Sequence, residues 1–313
     1  MMTMTKRVLG LSCGNPGGSA EILLIEALRA AEEDGADTEL VRLDDLRLDG
    51  GDDDAEWFWE RLIECDAWII SAPIISRTVP GRLKVLGDRL LGPNADAAII
   101  EGLLEVRRNG GEPMVPFRVD ERVLRPRVAG FIACGGALTT QWKSLALPVM
   151  HTLTFSMSTA VVDQMVVEGA GTPKSVVLDP EAITRAGTLG HHVASQLGRG
   201  LGEAEYLGPA GACPMCHLDV VVLRGRDVEC ATCGARGRLA EDGVEWTDLS
   251  LSVISMAERH AHYKEIVETA EAHAAQRALV AERSAPYADQ PVTRPTAVTP
   301  PVQVTSSSRR PGL

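Results

Sequence analysis

Short apolar runs alternate along the chain with stretches in which apolar residues recur every three or four positions. The first run, Arg7 to Leu11, gives way to a loop of small residues, Ser12 to Ser19. Ile22, Leu23, Ile25, Ala27 and Leu28 then follow at helical spacing. Thr38 to Leu43 reads as a second strand, Asp44 to Asp54 as an acidic loop and Ala55 to Glu64 as a helix. Ala67 to Ser71 is continuously apolar, as strands buried on both faces are. Pro80 marks the first turn of a helix predicted to reach Leu90. Val128 to Ala133 resumes as a strand, a helix fits about 141–156, and Thr159 to Val167 is a further strand. Asp179-Pro180-Glu181 opens a helix to about Leu197, with Asp at the cap and Pro at the first position.

This alternation predicts an α/β domain over residues 1–200, a doubly wound parallel five-stranded sheet. Residues 92–126 interrupt it with a polar, proline-containing insert, and Asn109-Gly110-Gly111 predicts a hairpin in an arm or lid. Residues 201–212 read as a linker, 213–247 as a small separate module and 248–283 as a terminal helix rich in Ala and Glu. From 284 to 313 the chain carries six prolines and little apolar material. Such a segment buries too little surface to offset its ordering entropy, so a disordered tail is expected.

Composition narrows the partners. Hydrophobic residues are 45 % and aromatics 4 %, so the core must be mostly Leu, Val, Ile and Ala. The net charge of −12 repels phosphate backbones and argues against nucleic acid. No apolar run approaches the roughly 18 residues of a membrane span. The N-terminus lacks a signal peptide's order of basic, apolar and cleavage segments, so a cytoplasmic protein is expected.

Of seven cysteines, four form two pairs, Cys213-Pro214-Met215-Cys216 and Cys230-Ala231-Thr232-Cys233, separated by 13 residues. Each Cys-x-x-Cys turn presents two thiolates on one side of a knuckle. Two facing knuckles make a tetrahedral S₄ site suited to Zn²⁺. Predicted strands at Val220–Leu223 and Asp227–Cys230, and at Arg236–Ala240 and Val244–Thr247, complete a zinc ribbon. A structural staple is the simplest role, since a segment this short has little core of its own. A redox iron of rubredoxin type is the alternative, although rubredoxin knuckles are usually spaced further apart. Four arginines (Arg224, Arg226, Arg236, Arg238) face six acids within 213–247, which argues against a nucleic-acid ribbon. His217 is expected beside the site rather than as a ligand.

The loop Ser12 to Ala20 joins a strand to a helix, where backbone N–H groups bind anions and small residues allow close approach. It is neither a Walker loop nor Gly-x-Gly-x-x-Gly. Two other strand-end loops, Ser71 to Ser76 and Cys134 to Ala137, fall at the same edge of a parallel sheet, where ligands sit.

Gly17-Gly18-Ser19-Ala20-Glu21, Ala72-Pro73-Ile74, Gly81-Arg82-Leu83-Lys84 and Asp88-Arg89, together with the ribbon, resemble the flavodoxin-like NAD(P)H-dependent FMN reductases, in the subgroup with a C-terminal zinc ribbon. The resemblance implies bound FMN, NAD(P)H as hydride donor, and a small acceptor such as a quinone, nitro compound or free flavin. It also implies a homodimer or higher homo-oligomer. Ser12, Asn15, Gly18, Ser19 and Ala20 would hold the phosphate; Pro73, Ile74, Ile75, Ser76, Gly135, Gly136 and Ala137 would line the ribityl chain and ring, with Gln141 at the same edge. Cys13 and Cys134 would flank this pocket as packing residues. The flavin carries the hydride chemistry, so no catalytic side chain is expected. A non-enzymatic flavin electron carrier, or an adaptor docking a partner through the ribbon, is the rival class.

The sequence departs from the family at several points. The phosphate loop has no Arg or Lys, Ala20 replaces a hydroxyl, and Ile75 stands where an aromatic often lies. The insert has no cysteine, which excludes an iron–sulfur cluster there. Lys84 and Asp88 are expected to pair along one helix. His191 and His192 read as helix surface, and His151 shows no partner. His262 matches a family position.

Overall fold

The computed structural model describes residues 6–48, 53–115, 117–288 and 291. The rest of the expected tail, and residues 49–52 of the acidic loop, lie outside the described residues. The chain divides at Val267 into two compact units, 1–267 and 268–313.

The first unit is built on five parallel strands: β1 (Arg7–Ser12), β2 (Asp37–Arg42), β3 (Ala67–Pro73), β4 (Val128–Cys134) and β5 (Ala160–Val167). Their order is β2-β1-β3-β4-β5, a doubly wound sheet as the alternation predicts and of the flavodoxin-like kind that the resemblance implies. Side chains alternate between two faces. Val8, Ala67, Ile69, Val128 and Ile132 pack under α1 (Ser19–Glu33) and α6 (Pro180–Ser195). Leu9, Leu11, Trp68, Ile70, Ala129 and Phe131 pack under α2 (Ala55–Glu64), α3 (Gly81–Leu90) and α5 (Ala146–His151). Both faces are therefore apolar, and the continuous apolar reading of β3 follows from that.

The insert differs from its expected form. Residues 92–126 contain α4 (Ala97–Arg108), with Ala97, Ala98, Ile99, Ile100 and Leu103 buried. Asp96 caps it, accepting from the Ala98 and Ile99 N–H groups at 2.9 and 3.1 Å. Asn109-Gly110 ends this helix rather than turning a hairpin: Gly111 N–H bonds Val106 C=O and Gly110 N–H bonds Arg107 C=O, both at 3.0 Å, with Gly110 at φ +75°. That is a Schellman closure, for which Asn-Gly is as suitable as for a hairpin. The segment expected as one helix over 141–156 is a short 3₁₀ turn, Thr140–Trp142, followed by α5 and further turns.

Beyond α6 a four-stranded antiparallel sheet follows: β6 (Val221–Arg224), β7 (Asp227–Cys230), β8 (Arg236–Ala240) and β9 (Gly243–Asp248). Helix α7 (Met256–Ala275) comes next, and Arg259 moors its first turns by donating from Nη1 to the Phe155 and Ser156 carbonyls at 2.5 and 3.0 Å. In the second unit α8 (Arg277–Ser284) is a separate helix, so the expected terminal helix is broken at Gln276. Among the described residues no helix is long and apolar enough to cross a membrane.

Candidate functional site

At the carboxyl edge of the sheet, the chain leaves β1 through a loop that Glu21 organises from beneath. The Glu21 side chain is 1 % exposed. Its carboxylate accepts from Ser12 Oγ (2.9 Å), Gly17 N–H (2.8 Å), and Arg42 Nε and Nη2 (2.8 and 3.0 Å). Arg42, the Gly17 amide and the Ser12 hydroxyl hold the Glu21 carboxyl below the usual carboxylate range, against the opposing effect of burial. The loop closes on itself through Gly18 N–H to Asn15 C=O at 2.8 Å. Gly18 is the N-cap of α1 and no side chain caps the helix, so the N–H groups of Ser19, Ala20 and Glu21 have no intrahelical partner.

Three more loops meet this one. After β3, Ile75 N–H bonds Thr78 C=O at 2.7 Å and Thr78 N–H returns to Ile75 C=O at 3.2 Å. This tight turn places Ser76 and Arg77 at φ +49° and +79°. After β4, Gly135 N–H bonds Val167 C=O at 2.9 Å, and Ala170 N–H bonds Gly135 C=O at 3.0 Å. A Cβ on Gly136 would stand 2.6 Å from Gly171 Cα, so only glycine allows these loops to approach. After β5, Val176 N–H donates to Ser19 Oγ at 3.5 Å, tying the 170–178 loop to the start of α1.

The result is an open cleft of about 450 Å³. Of the residues expected from sequence, Cys13, Asn15, Gly18, Ser19, Ala20, Pro73, Ile75 and Cys134 line it. Ser12 lies beneath, its hydroxyl given to Glu21. Ile74, Ser76, Gly135, Gly136, Ala137 and Gln141 do not form its wall; Ile74 packs on Gly135, and the Gln141 carbonyl accepts from Arg77 Nε at 2.6 Å. Asp44, Pro80 and the loop Ala170 to Lys174 complete the wall. Sequence reading missed these because nothing in their composition marks them; the sheet topology alone brings β5's loop to the loop after β1. Burial pushes the Cys134 thiol up to about 11 and the Cys13 thiol higher still. Both stay protonated at neutral pH, which suits packing and not redox exchange.

The second candidate site is the ribbon. The sulfurs of Cys213, Cys216, Cys230 and Cys233 all lie within 4.8 Å of one another. Cys213–Cys233 and Cys216–Cys230 are 3.5 and 3.4 Å apart, too far for disulfides and close to the roughly 3.8 Å edge of an S₄ tetrahedron with Zn–S near 2.3 Å. The knuckles share one geometry. His217 N–H bonds Cys213 C=O at 2.8 Å and Cys213 N–H bonds Leu218 C=O at 3.1 Å; Gly234 and Ala235 repeat this with Cys230 at 2.9 and 2.8 Å. The residue after each second cysteine is left-handed, Gly234 at φ +80° and His217 at φ +57°. Glycine adopts this freely; histidine does so at a cost, with its ring stacked on Tyr206 at 3.6 Å.

The ribbon is moored to the sheet. A bulge in β5 near Val162 turns Gln164 toward the ribbon. Its Nε2 donates to the Cys216 and His217 carbonyls at 2.9 and 3.2 Å. Its Oε1 accepts from His151 Nε2 at 2.8 Å, which supplies the partner not visible in the sequence. Burial lowers the His151 pKa to about 4, the Gln164 hydrogen bond opposing, so this imidazole is neutral at pH 7. His192 is likewise no plain surface residue: its Nδ1 bonds the buried Asp163 at 2.7 Å.

A separate cleft of about 420 Å³ is lined by Lys84, Asp88, Asp96, Ser156 and His262 among others. Lys84 and Asp88 form the expected ion pair.

A family model described as NADPH-dependent FMN reductase matches residues 6–169. A flavone synthase from Aspergillus candidus is 39 % identical over an alignment of 264 residues, covering 76 % of this chain and 80 % of that protein. A solved structure of a flavone reductase superposes with a TM-score of 0.78 at 26 % identity, covering 92 % of this chain and 99 % of that one.

Proposed function

Since the chain belongs to the NADPH-dependent FMN reductase family and is therefore a flavin-dependent oxidoreductase, we propose that it holds FMN in the strand-end cleft and reduces a planar conjugated acceptor of the flavone type. FMN bound there would supply the hydride chemistry between NADPH and the acceptor, and the chain's own tasks are to bind, orient and exclude water. The observation that carries the reading is the uncapped start of α1 at the rim of a cleft about 450 Å³ in volume, where three N–H groups await an anion. Their fit to a phosphate is sound: Glu21 fixes the loop from below, and Gly17, Gly18 and Ala20 leave room for close approach.

The acceptor assignment rests on the likeness to a flavone reductase and on the apolar surface beside the cleft, and the likeness to a flavone synthase supports the same class of ligand without the direction of reaction. Ile75, Leu138 and Trp142 are 54, 72 and 55 % exposed on the flanking loops. Arg77 fastens those loops together through Gln141 C=O and through Ser144 Oγ at 3.4 Å. Such side chains suit flat aromatic rings. Reducing a flavone saturates the double bond conjugated to its carbonyl, consuming one NADPH and one proton. Quinones, nitro compounds and free flavin are the competing acceptors. An anaerobic turnover panel with NADPH decides: flavone should give the highest kcat/KM, and turnover confined to quinones, nitro compounds or free flavin would overturn the assignment.

Zn²⁺ in the four-cysteine site, as a structural staple, and assembly as a homodimer are parts of the same proposal. Metal analysis should give one zinc per chain, and iron would contradict it. Light scattering should give twice the 33.5 kDa chain mass.

A further inference from the structure

We infer that Lys174, from the loop after β5, is the cation that binds the flavin phosphate, in place of a basic residue in the loop after β1; the inference rests on the flavin reading above. The N–H groups at the start of α1 would meet a phosphate dianion, but no side chain of the loop after β1 balances its charge. The protein carries a net charge of −12, Glu21 lies directly beneath the loop, and Asp44 is in the cleft wall. Among the residues lining the cleft, Lys174 is the one cation. A Cβ built on Gly17 would stand 3.8 Å from Lys174 Nζ, so the ammonium lies over the phosphate loop.

The neighbouring cations are committed elsewhere. Arg42 is held by Glu21, Lys143 by Glu168, and Arg77 by the Gln141 carbonyl. Among the described residues Lys174 has no carboxylate partner. Its backbone is left-handed, φ +64° and ψ +6°, a conformation that costs a lysine about 1 kcal/mol and a glycine almost nothing. The loop is nevertheless locked in place by the Val176–Ser19 bond and the Gly136–Gly171 contact. Backbone strain and stability would favour glycine at this position, so the lysine serves something other than the fold.

The strain supplies a clean test. Apoprotein of the full chain is titrated with FMN and with riboflavin, which has the same ring and ribityl chain but no phosphate, for wild type, K174G, K174A and K174R. Thermal melts are recorded alongside. K174G should melt no lower than wild type yet bind FMN about tenfold more weakly, the lower end for a charge-assisted contact because the lysine is exposed. Riboflavin affinity should change less than about twofold, K174R should retain most FMN affinity, and rising salt should narrow the gap between wild type and K174G. If wild type binds FMN and K174A and K174G bind it equally well, the inference is wrong while the flavin reading stands. Equal losses for FMN and riboflavin would make the lysine structural, and a change confined to the KM for NADPH would assign it to the nicotinamide phosphate; either result overturns the inference. A wild-type protein that binds neither flavin overturns the reading and the inference together.

Discussion

In the ribbon four side-chain atoms converge and the backbone serves to aim them; in the cleft the backbone itself is the receptor, and most side chains stay out of its way. The cysteine sulfurs lie within 4.8 Å of one another, an arrangement that acquires its energy only when an ion joins them. The cleft instead sits on the ends of five strands whose two faces are already buried, and its loops are closed by hydrogen bonds without any ligand. The first site should therefore be necessary for local folding, the second largely preformed.

The largest expected effect breaks the ribbon alone. Cys230→Ser should release the metal and unfold 213–247, because structural zinc contributes on the order of 10–16 kcal/mol of apparent binding energy to so small a module. Hydrogen exchange should become fast across the ribbon, while the inner strands of the parallel sheet keep their protection. Protection retained in the ribbon after metal loss would erase the contrast.

Next is the support beneath the cleft. Arg42→Ala removes the counter-charge from a carboxylate that is 1 % exposed. Leaving that carboxylate without its partner should destabilise the fold measurably, by less than the loss of a fully buried pair because Arg42 is itself solvent-exposed. Urea denaturation should read that loss, with a fall in FMN affinity, and Glu21→Gln should recover part of it in the double variant.

His151, through Gln164, ties the ribbon to the parallel sheet and gives the contrast a pH dependence. Its pKa is about 4 when folded and near 6.5 when unfolded, so the unfolded chain binds the extra proton first. The stability it contributes is fully present above pH 6.5 and is lost as the pH falls toward 4. Between pH 7.5 and 5 the loss attributable to His151 is about 2 kcal/mol. Acid also protonates the cysteines, so the readout is a difference: His151→Gln should lose about 2 kcal/mol less than wild type over that range. The smallest effect is Gly136→Ala, whose Cβ would meet Gly171 Cα at 2.6 Å. It should cost about 1–2 kcal/mol by overpacking, and should weaken FMN binding more than its stability loss explains.

The same contrast accounts for what the sequence made legible. The ribbon was readable because its chemistry lies in four residues at fixed spacing, and its strands were placed to within one residue. The parallel sheet was readable because strands buried on both faces are continuously apolar, as Trp68 to Ile70 are. The cleft was readable in the contiguous loop Cys13 to Ala20 and in part in the loops after β3 and β4, through Pro73, Ile75 and Cys134, and not in the loop after β5. Lys174 lies some 150 residues from the loop after β1 in sequence and reaches it only through the order β2-β1-β3-β4-β5. Asn109-Gly110 misled because left-handed closure serves a helix end as well as a hairpin, and the burial of Ile100 and Leu103 decides which. His151 looked unpartnered because its acceptor, Gln164, is turned toward it by a bulge that no local pattern announces.

The most direct test of the account is an anaerobic absorbance titration of the FMN-reconstituted full-length protein with NADPH, with metal analysis of the same sample. The account predicts flavin bands at one FMN per chain, bleached stoichiometrically by NADPH, and one zinc. A protein that takes up zinc but no FMN, or whose bound flavin NADPH leaves oxidised, would contradict it.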